Sequence, residues 1–185
     1  MSARAGALPF RRDPNLVGVA LFIASESLFF LGVVIAYVVF RDQAIATAKA
    51  QLDVGRTAIF SVLLFASSGT VAVATRRRSR RWLALTAFLG GAFLTGQGLE
   101  YARLLGAGLR PGSEMFGTTF FTLTGLHAVH VLVGLVLLVT LFAASAARPR
   151  RVGRAAWEGI AMYWHFVDAV WVVVFSVVYL GTLIG

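Results

Sequence analysis

Residues 118–144 read TTFFTLTGLHAVHVLVGLVLLVTLFAA, 27 positions without a single charge. A helix needs about 20 mainly apolar residues to cross roughly 30 Å of hydrocarbon, so this stretch is long enough to span a bilayer. Hydrocarbon permits one other backbone arrangement, a closed β-barrel, which needs alternating strands of about ten residues. Val131–Leu138 (VLVGLVLL) is apolar on all sides instead. The stretch therefore reads as a spanning helix. Four more segments pass the same test: Leu16–Phe40, Ala58–Thr75, Trp82–Leu105 and Trp157–Ile184. The expected fold is all-α, an integral membrane bundle of five transmembrane helices. It forms a single membrane domain over 16–185, with spans near 16–40, 58–75, 82–105, 118–144 and 157–184, after a tail at 1–15.

Composition supports this reading. Of 185 residues, 58% are hydrophobic and 14% charged, against roughly 45–50% and about 25% in soluble domains. Mean hydropathy is +0.81. A soluble globule of this size has too little interior to hide that much apolar surface. The chain has no cysteine, which excludes disulfides, iron–sulfur clusters, thiolate copper sites and a cysteine nucleophile. The net charge of +9 would suggest nucleic acid only if it lay on one exposed face. Here it sits in short runs between apolar segments.

Those runs set the topology. Twelve of the 17 basic residues fall on one side of the five spans: Arg4, Arg11 and Arg12, then Arg76, Arg77, Arg78, Arg80 and Arg81, then Arg148, Arg150, Arg151 and Arg154. Arg41, Lys49, Arg56, Arg103 and Arg110 fall on the other. The positive-inside rule places the N-terminus in the cytoplasm and the C-terminus outside. The first span is too long for a signal-peptide core, carries Glu26 and lacks small cleavage-site residues, so it reads as a retained helix. The connections, Arg41–Thr57, Arg76–Arg81, Gly106–Gly117 and Ser145–Ala156, are too short for a soluble domain. No G-x-x-x-x-G-K-S/T loop is present, which argues against an ATP-driven pump. The glycines of GGAFLTGQG (Gly90–Gly98) lie inside a span. Ala87, Gly91 and Thr95 repeat there at four-residue spacing, as close helix packing requires.

Ionisable groups at membrane depth need a partner or a task. Glu26 lies between Ser25 and Ser27. It is either a proton-holding or protein-contact group, or a neutral acid bonded to neighbouring hydroxyls and carbonyls. Gln97, Glu100 and Arg103 share a helix face, so a local ion pair is available. Tyr101 suits an interfacial anchor with its hydroxyl among the headgroups. His127 and His130, three apart, also share a face. They could join a metal site, with His165 opposite one of them as a second haem ligand, or hydrogen-bond across helices. The paired Glu-x-x-His spacing of di-iron bundles is missing. His165 and Asp168 could form a pair in which the carboxylate fixes the imidazole tautomer, set in the dense cluster WHFVDAVW that ends at Trp171.

Residues 117–134, GTTFFTLTGLHAVHVLVG, resemble the G-S/T-T-F-F…T-G-F/L-H-x-x-H-V…G segment of the cytochrome c oxidase subunit III family. Residues 163–171, YWHFVDAVW, are similar to that family's Y-W-H-F-V-D-x-V-W segment, with Tyr179 following at its spacing. Glu100–Tyr101 resembles its Gln…Glu-Tyr element. ASESLFFL (Ala24–Leu31) resembles the start of its helix bearing a membrane-buried carboxylate, here Glu26. The resemblance implies an accessory subunit of a proton-pumping haem–copper terminal oxidase in a bacterial cell membrane. Such a subunit has no redox centre or metal of its own. It packs on the catalytic subunit I, which holds haem and copper, beside subunit II, and it binds phospholipid. It supports proton uptake and sustained turnover. Glu26, Glu100, Tyr101, His127, His130, His165, Asp168 and Trp171 would then organise the bundle, its lipid contacts or its interface, with no catalytic residue among them. Larger members have seven helices, with lipid in a cleft between the first two and the other five. This chain matches the last five, so that cleft would need partner helices to complete it. A subunit III-like protein of a nitric oxide reductase, a free-standing bis-histidine cytochrome and a proton-coupled transporter are the alternatives.

Overall fold

The computed structural model describes residues 13–40, 52–112 and 115–181. These build five long helices with no strand among the described residues. They are α1 (Pro14–Phe40), α2 (Val54–Arg77), α3 (Arg80–Gly106), α4 (Met115–Ala147) and α5 (Arg154–Phe175). A wide π-turn, Ser176–Leu180, continues α5. All five are long and apolar enough to cross a membrane. The tail at 1–12 and the last four residues lie outside the described residues.

The helix ends differ from the hydropathy limits for a reason that each boundary shows. A carboxylate starts two of them: the Asn15 N–H donates to Asp13 Oδ1, and the Arg56 N–H to Asp53 Oδ1, each at 3.0 Å. Pro14 takes the first helical position of α1, where its missing N–H costs nothing. Hydropathy stops α2 at Thr75, but arginine is a good helix former, so Arg76 and Arg77 stay helical. The six-residue connection expected here shrinks to Arg78 and Ser79. Arg78 adopts the left-handed region at φ 47°, and the Ser79 N–H donates back to the Ala74 carbonyl at 3.0 Å. At the end of α3 the usual glycine does the same job. Gly108 has φ 90°, and the Leu109 N–H reaches Leu104 O at 3.0 Å.

Burial follows helical periodicity. On α3 the buried positions Leu83, Thr86, Gly90, Phe93, Gln97, Glu100 and Leu104 are spaced alternately by three and four, with Gly96 buried beside them. On α5 Trp157, Ala161, Trp164, Asp168 and Trp171 alternate by four and three. Such seams are those of antiparallel helix bundles. Helices α2 to α5 form a four-helix bundle, and α1 lies against α4 and α5. The glycine packing differs from the expected Ala87–Gly91–Thr95 stripe. A Cβ on Gly91 would meet nothing within 4 Å, whereas one on Gly90 would fall 2.5 Å from the Trp164 ring and one on Gly96 would overlap the Phe60 ring. The glycines at 90 and 96 admit aromatic rings from neighbouring helices, so the tight positions are six apart and not at the four-residue spacing expected.

The charge asymmetry expected from sequence is present in three dimensions. One end of the bundle carries Arg76, Arg77, Arg78, Arg80, Arg81, Arg148, Arg150, Arg151 and Arg154, while Arg56, Arg103 and Arg110 stand at the other.

Candidate functional site

The polar side chains inside the bundle form a set of clasps, one at nearly every joint between helices. Between α1 and α4, Glu26 Oε2 lies 3.2 Å from His130 Nε2. His130 Nδ1 sits 2.8 Å from the Leu126 carbonyl. A carbonyl only accepts, so Nδ1 is the donor to Leu126 and Nε2 is the nitrogen that faces the carboxyl. The Tyr163 hydroxyl donates to the His130 carbonyl at 3.1 Å, and Phe30 meets the imidazole edge-on at 4.9 Å. The neighbouring hydroxyls do not serve Glu26: Ser25 and Ser27 donate to the Phe22 and Ile23 carbonyls, each at 2.8 Å. A helical serine returns readily to its own backbone, so the alternative in which local hydroxyls satisfy the acid is not what forms.

Two tryptophans clasp α5 to α2. Trp164 Nε1 donates to Ser67 Oγ and Trp171 Nε1 to Ser61 Oγ, both at 2.8 Å. The order reverses along the chain because the two helices are antiparallel. Each serine passes its own proton to a carbonyl of its own helix, Leu64 O or Thr57 O, so both atoms of each hydroxyl are engaged. The serines were the residues that sequence reasoning missed. Their signal was a pair of hydroxyls six residues apart, on neighbouring flanks of an otherwise apolar span.

His165 and Asp168 do not pair. His165 Nδ1 bonds Ser68 Oγ at 2.7 Å on the outside of the α2–α5 joint, while Asp168 is 5% exposed and neither of its oxygens completes a hydrogen bond, although Ser68 stands beside it. Three residues turn a helix about 300°, so the two side chains stand about 60° apart on one face, and Ser68, which lies beside both, takes the imidazole's bond. His127 and His130 are spaced in the same way but meet different helices. His127 is fully buried, stacked on Trp171 at 4.8 Å and edge-on to Phe93 at 6.0 Å, and neither ring nitrogen finds a hydrogen-bond partner. His130 instead turns to α1. The opposed pair of imidazoles considered from sequence does not form, since His165 points out to Ser68 while His127 lies flat against an indole. Among the described residues, no three His, Asp or Glu are grouped to hold a metal ion.

At the less basic end, Glu100 is buried and ion-paired with Arg103, and its other contact is the Asp53 backbone N–H at 3.4 Å. Tyr101 corrects the anchor expectation. Its hydroxyl bonds Thr124 Oγ1 at 2.6 Å, and because Thr124 gives its own proton to the Phe120 carbonyl, the phenol is the donor. A hydroxyl inside the α3–α4 joint outcompetes the headgroup layer because the ring lies on the inward flank of α3, 5.0 Å from Phe121.

Taken together, these contacts define a class. This is a multi-pass helical membrane protein whose buried polar groups join helices and converge on no reacting centre among the described residues. A model of the family described as "Cytochrome c oxidase subunit III" matches residues 11–182. The chain is 34% identical over 181 residues to "Cytochrome c oxidase subunit 3" of Corynebacterium diphtheriae, covering 90% of this chain and 88% of the relative. It is also 34% identical over 181 residues to the protein of that name from Synechocystis sp., covering 91% and 76%, and over 182 residues to that of Thermostichus vulcanus, covering 92% and 89%. The chain belongs to the cytochrome c oxidase subunit III family. As such it is a subunit of a haem–copper oxidase complex and works with other oxidase subunits.

Proposed function

We propose that this chain is the five-helix accessory subunit of a proton-pumping terminal oxidase in aerobic respiration. It lies in a bacterial cell membrane with its basic end in the cytoplasm. It forms a single membrane domain that packs on catalytic subunit I beside subunit II, and the partner holds the haem and copper. Its contribution is indirect: it stabilises the catalytic subunit and supports proton uptake through helix and lipid packing. The observation that supports this best is the use of the polar groups. Glu26, Glu100, Tyr101, His130, His165 and Trp171 bond across or along helices, while His127 and Asp168 sit among packed rings and helices. Ordered joints of that kind suit a scaffold rather than an electron path. A groove of about 730 Å³ lined by Gly18, Phe22, Val133, Ala156, Gly159 and Tyr163 among others offers a phospholipid tail a place between α1, α4 and α5.

Deletion of this chain tests the proposal. The remaining oxidase should keep its haem absorbance and initial rate, yet lose activity faster during sustained turnover. Loss of the haem spectrum from a partner that still assembles would overturn it. Co-purification with a nitric oxide reductase in place of an oxygen-reducing partner would transfer the scaffold role to that enzyme.

A further inference from the structure

The basic end of the bundle contains a pocket that none of the clasps above explains. It encloses about 380 Å³ between the last turn of α2 and the first of α5, and is lined by Thr75, Arg76, Arg78, Arg154, Trp157 and Glu158. We propose that this pocket binds the phosphate headgroup of an anionic phospholipid. The proposal requires only that the chain lie in a bilayer, and it is independent of which oxidase subunits surround it.

Charge is the first argument. Three guanidinium groups face one carboxylate, and that carboxylate, Glu158, is held by Arg154. Arg76 and Arg78 meet no carboxylate among the described residues. Two arginines brought to one pocket without a counter-anion repel each other, and a bound phosphate removes that repulsion through charge-assisted, bidentate N–H···O bonds. The second argument is backbone geometry. Arg78 holds the left-handed conformation that normally falls to glycine. A residue with a Cβ persists there at some cost, and here that fold delivers a guanidinium to the pocket. The first N–H groups of α5 add positive potential, since Gly153 before them has no side chain to cap them.

Depth identifies the source of the phosphate. The pocket sits where the apolar stretch of α2 ends in arginine and where α5 begins, with the buried ring of Trp157 in its wall. Basic pockets between transmembrane helices at this level suit lipid headgroups. An inorganic ion would meet the same arginines but gains nothing from their position beside the hydrocarbon.

The test uses the full chain, purified in detergent and stripped of lipid, with lipid retention read by native mass spectrometry. Dioleoyl phosphatidylglycerol should be retained in preference to dioleoyl phosphatidylcholine. The double variant Arg76→Gln/Arg78→Gln should weaken phosphatidylglycerol binding on the order of thirtyfold, from about 1 kcal/mol per arginine near a membrane surface. The variant Arg150→Gln/Arg151→Gln, which removes as much charge from the same end but not from the pocket, should bind as the parent does. All these arginines are exposed, so the variants should elute and melt as the parent. Equal retention of the two lipids, or an equal loss in both double variants, would overturn the site. Displacement of phosphatidylglycerol by millimolar inorganic phosphate, but not by chloride at matched ionic strength, would overturn the lipid assignment. Assembly with a haem-bearing partner, measured separately, tests the proposed function alone.

Discussion

Helices α1 and α5 run side by side, and each has 27 residues in its span, yet they are built on different principles. In the most apolar window of α1, 11% of residues are buried inside the bundle, against 44% for α5. Helix α1 is the more hydrophobic of the two, with a mean hydropathy of 2.3 against 1.7. Hydropathy therefore measures affinity for lipid rather than for the protein. In hydrocarbon there is little hydrophobic drive to bring helices together, so attachment depends on shape and hydrogen bonds. Helix α5 has both: Trp164 and Trp171 fit against glycine and Phe93 and donate to serines. Helix α1 buries Phe30 and Tyr37, each 3% exposed, and reaches across to α4 through the Glu26–His130 bond.

The largest effect should come from the α5 seam. Trp164→Ala leaves a hole against Gly90 and Gly134 and takes away the donor that Ser67 Oγ accepts from, and should cost about 3–5 kcal/mol. It should lower the thermal midpoint of the whole bundle in detergent. Gly90→Val tests the same contact from the other side, by overpacking, at about 1–3 kcal/mol. A midpoint unchanged by both would mean that the tryptophan seam is not what holds α5.

A smaller and more local loss is expected at α1. Glu26→Ala removes one partner of a partly buried hydrogen bond, worth about 1–3 kcal/mol. Hydrogen exchange or protease access should rise along α1 while the global midpoint barely moves. A cooperative loss of the four-helix bundle would show instead that α1 is integral to the core. The smallest effect belongs to the outer face of α1. Leu28 is 72% exposed, and Leu28→Ala should change stability by less than about 0.5 kcal/mol. A larger loss in the isolated chain would mean that this face already has a protein neighbour.

The five spans were legible because each rests on a local property, a run of apolar residues. Their ends were less so: Arg76 and Arg77 are charged enough to end a hydropathy window, but they remain helical. The polar residues that matter also stood out one by one, since each is rare at membrane depth. Their partners did not. Glu26 and His130 are 104 positions apart, and Trp171 and Ser61 are 110 apart, and nothing within one sequence ties such distant positions together. Spacing misled where two residues on one face were assumed to do one thing. His165 and Asp168, three apart, lie beside the same Ser68, yet the imidazole bonds that serine and not the carboxylate.

The two-residue turn at Arg78 and Ser79 has a mechanical consequence. It tethers α2 to α3 at one end, and at the far end the Asp53 N–H and Arg103 both meet Glu100. In between, the Thr70 and Thr86 hydroxyls lie 2.7 Å apart and the Phe60 ring fills the notch at Gly96. A beam pinned at both tips and along its length cannot splay or shear. Helices α2 and α3 therefore tilt as one stiff strut, and in a thickening or thinning bilayer α1, the least buried span, has the most freedom to adjust against it.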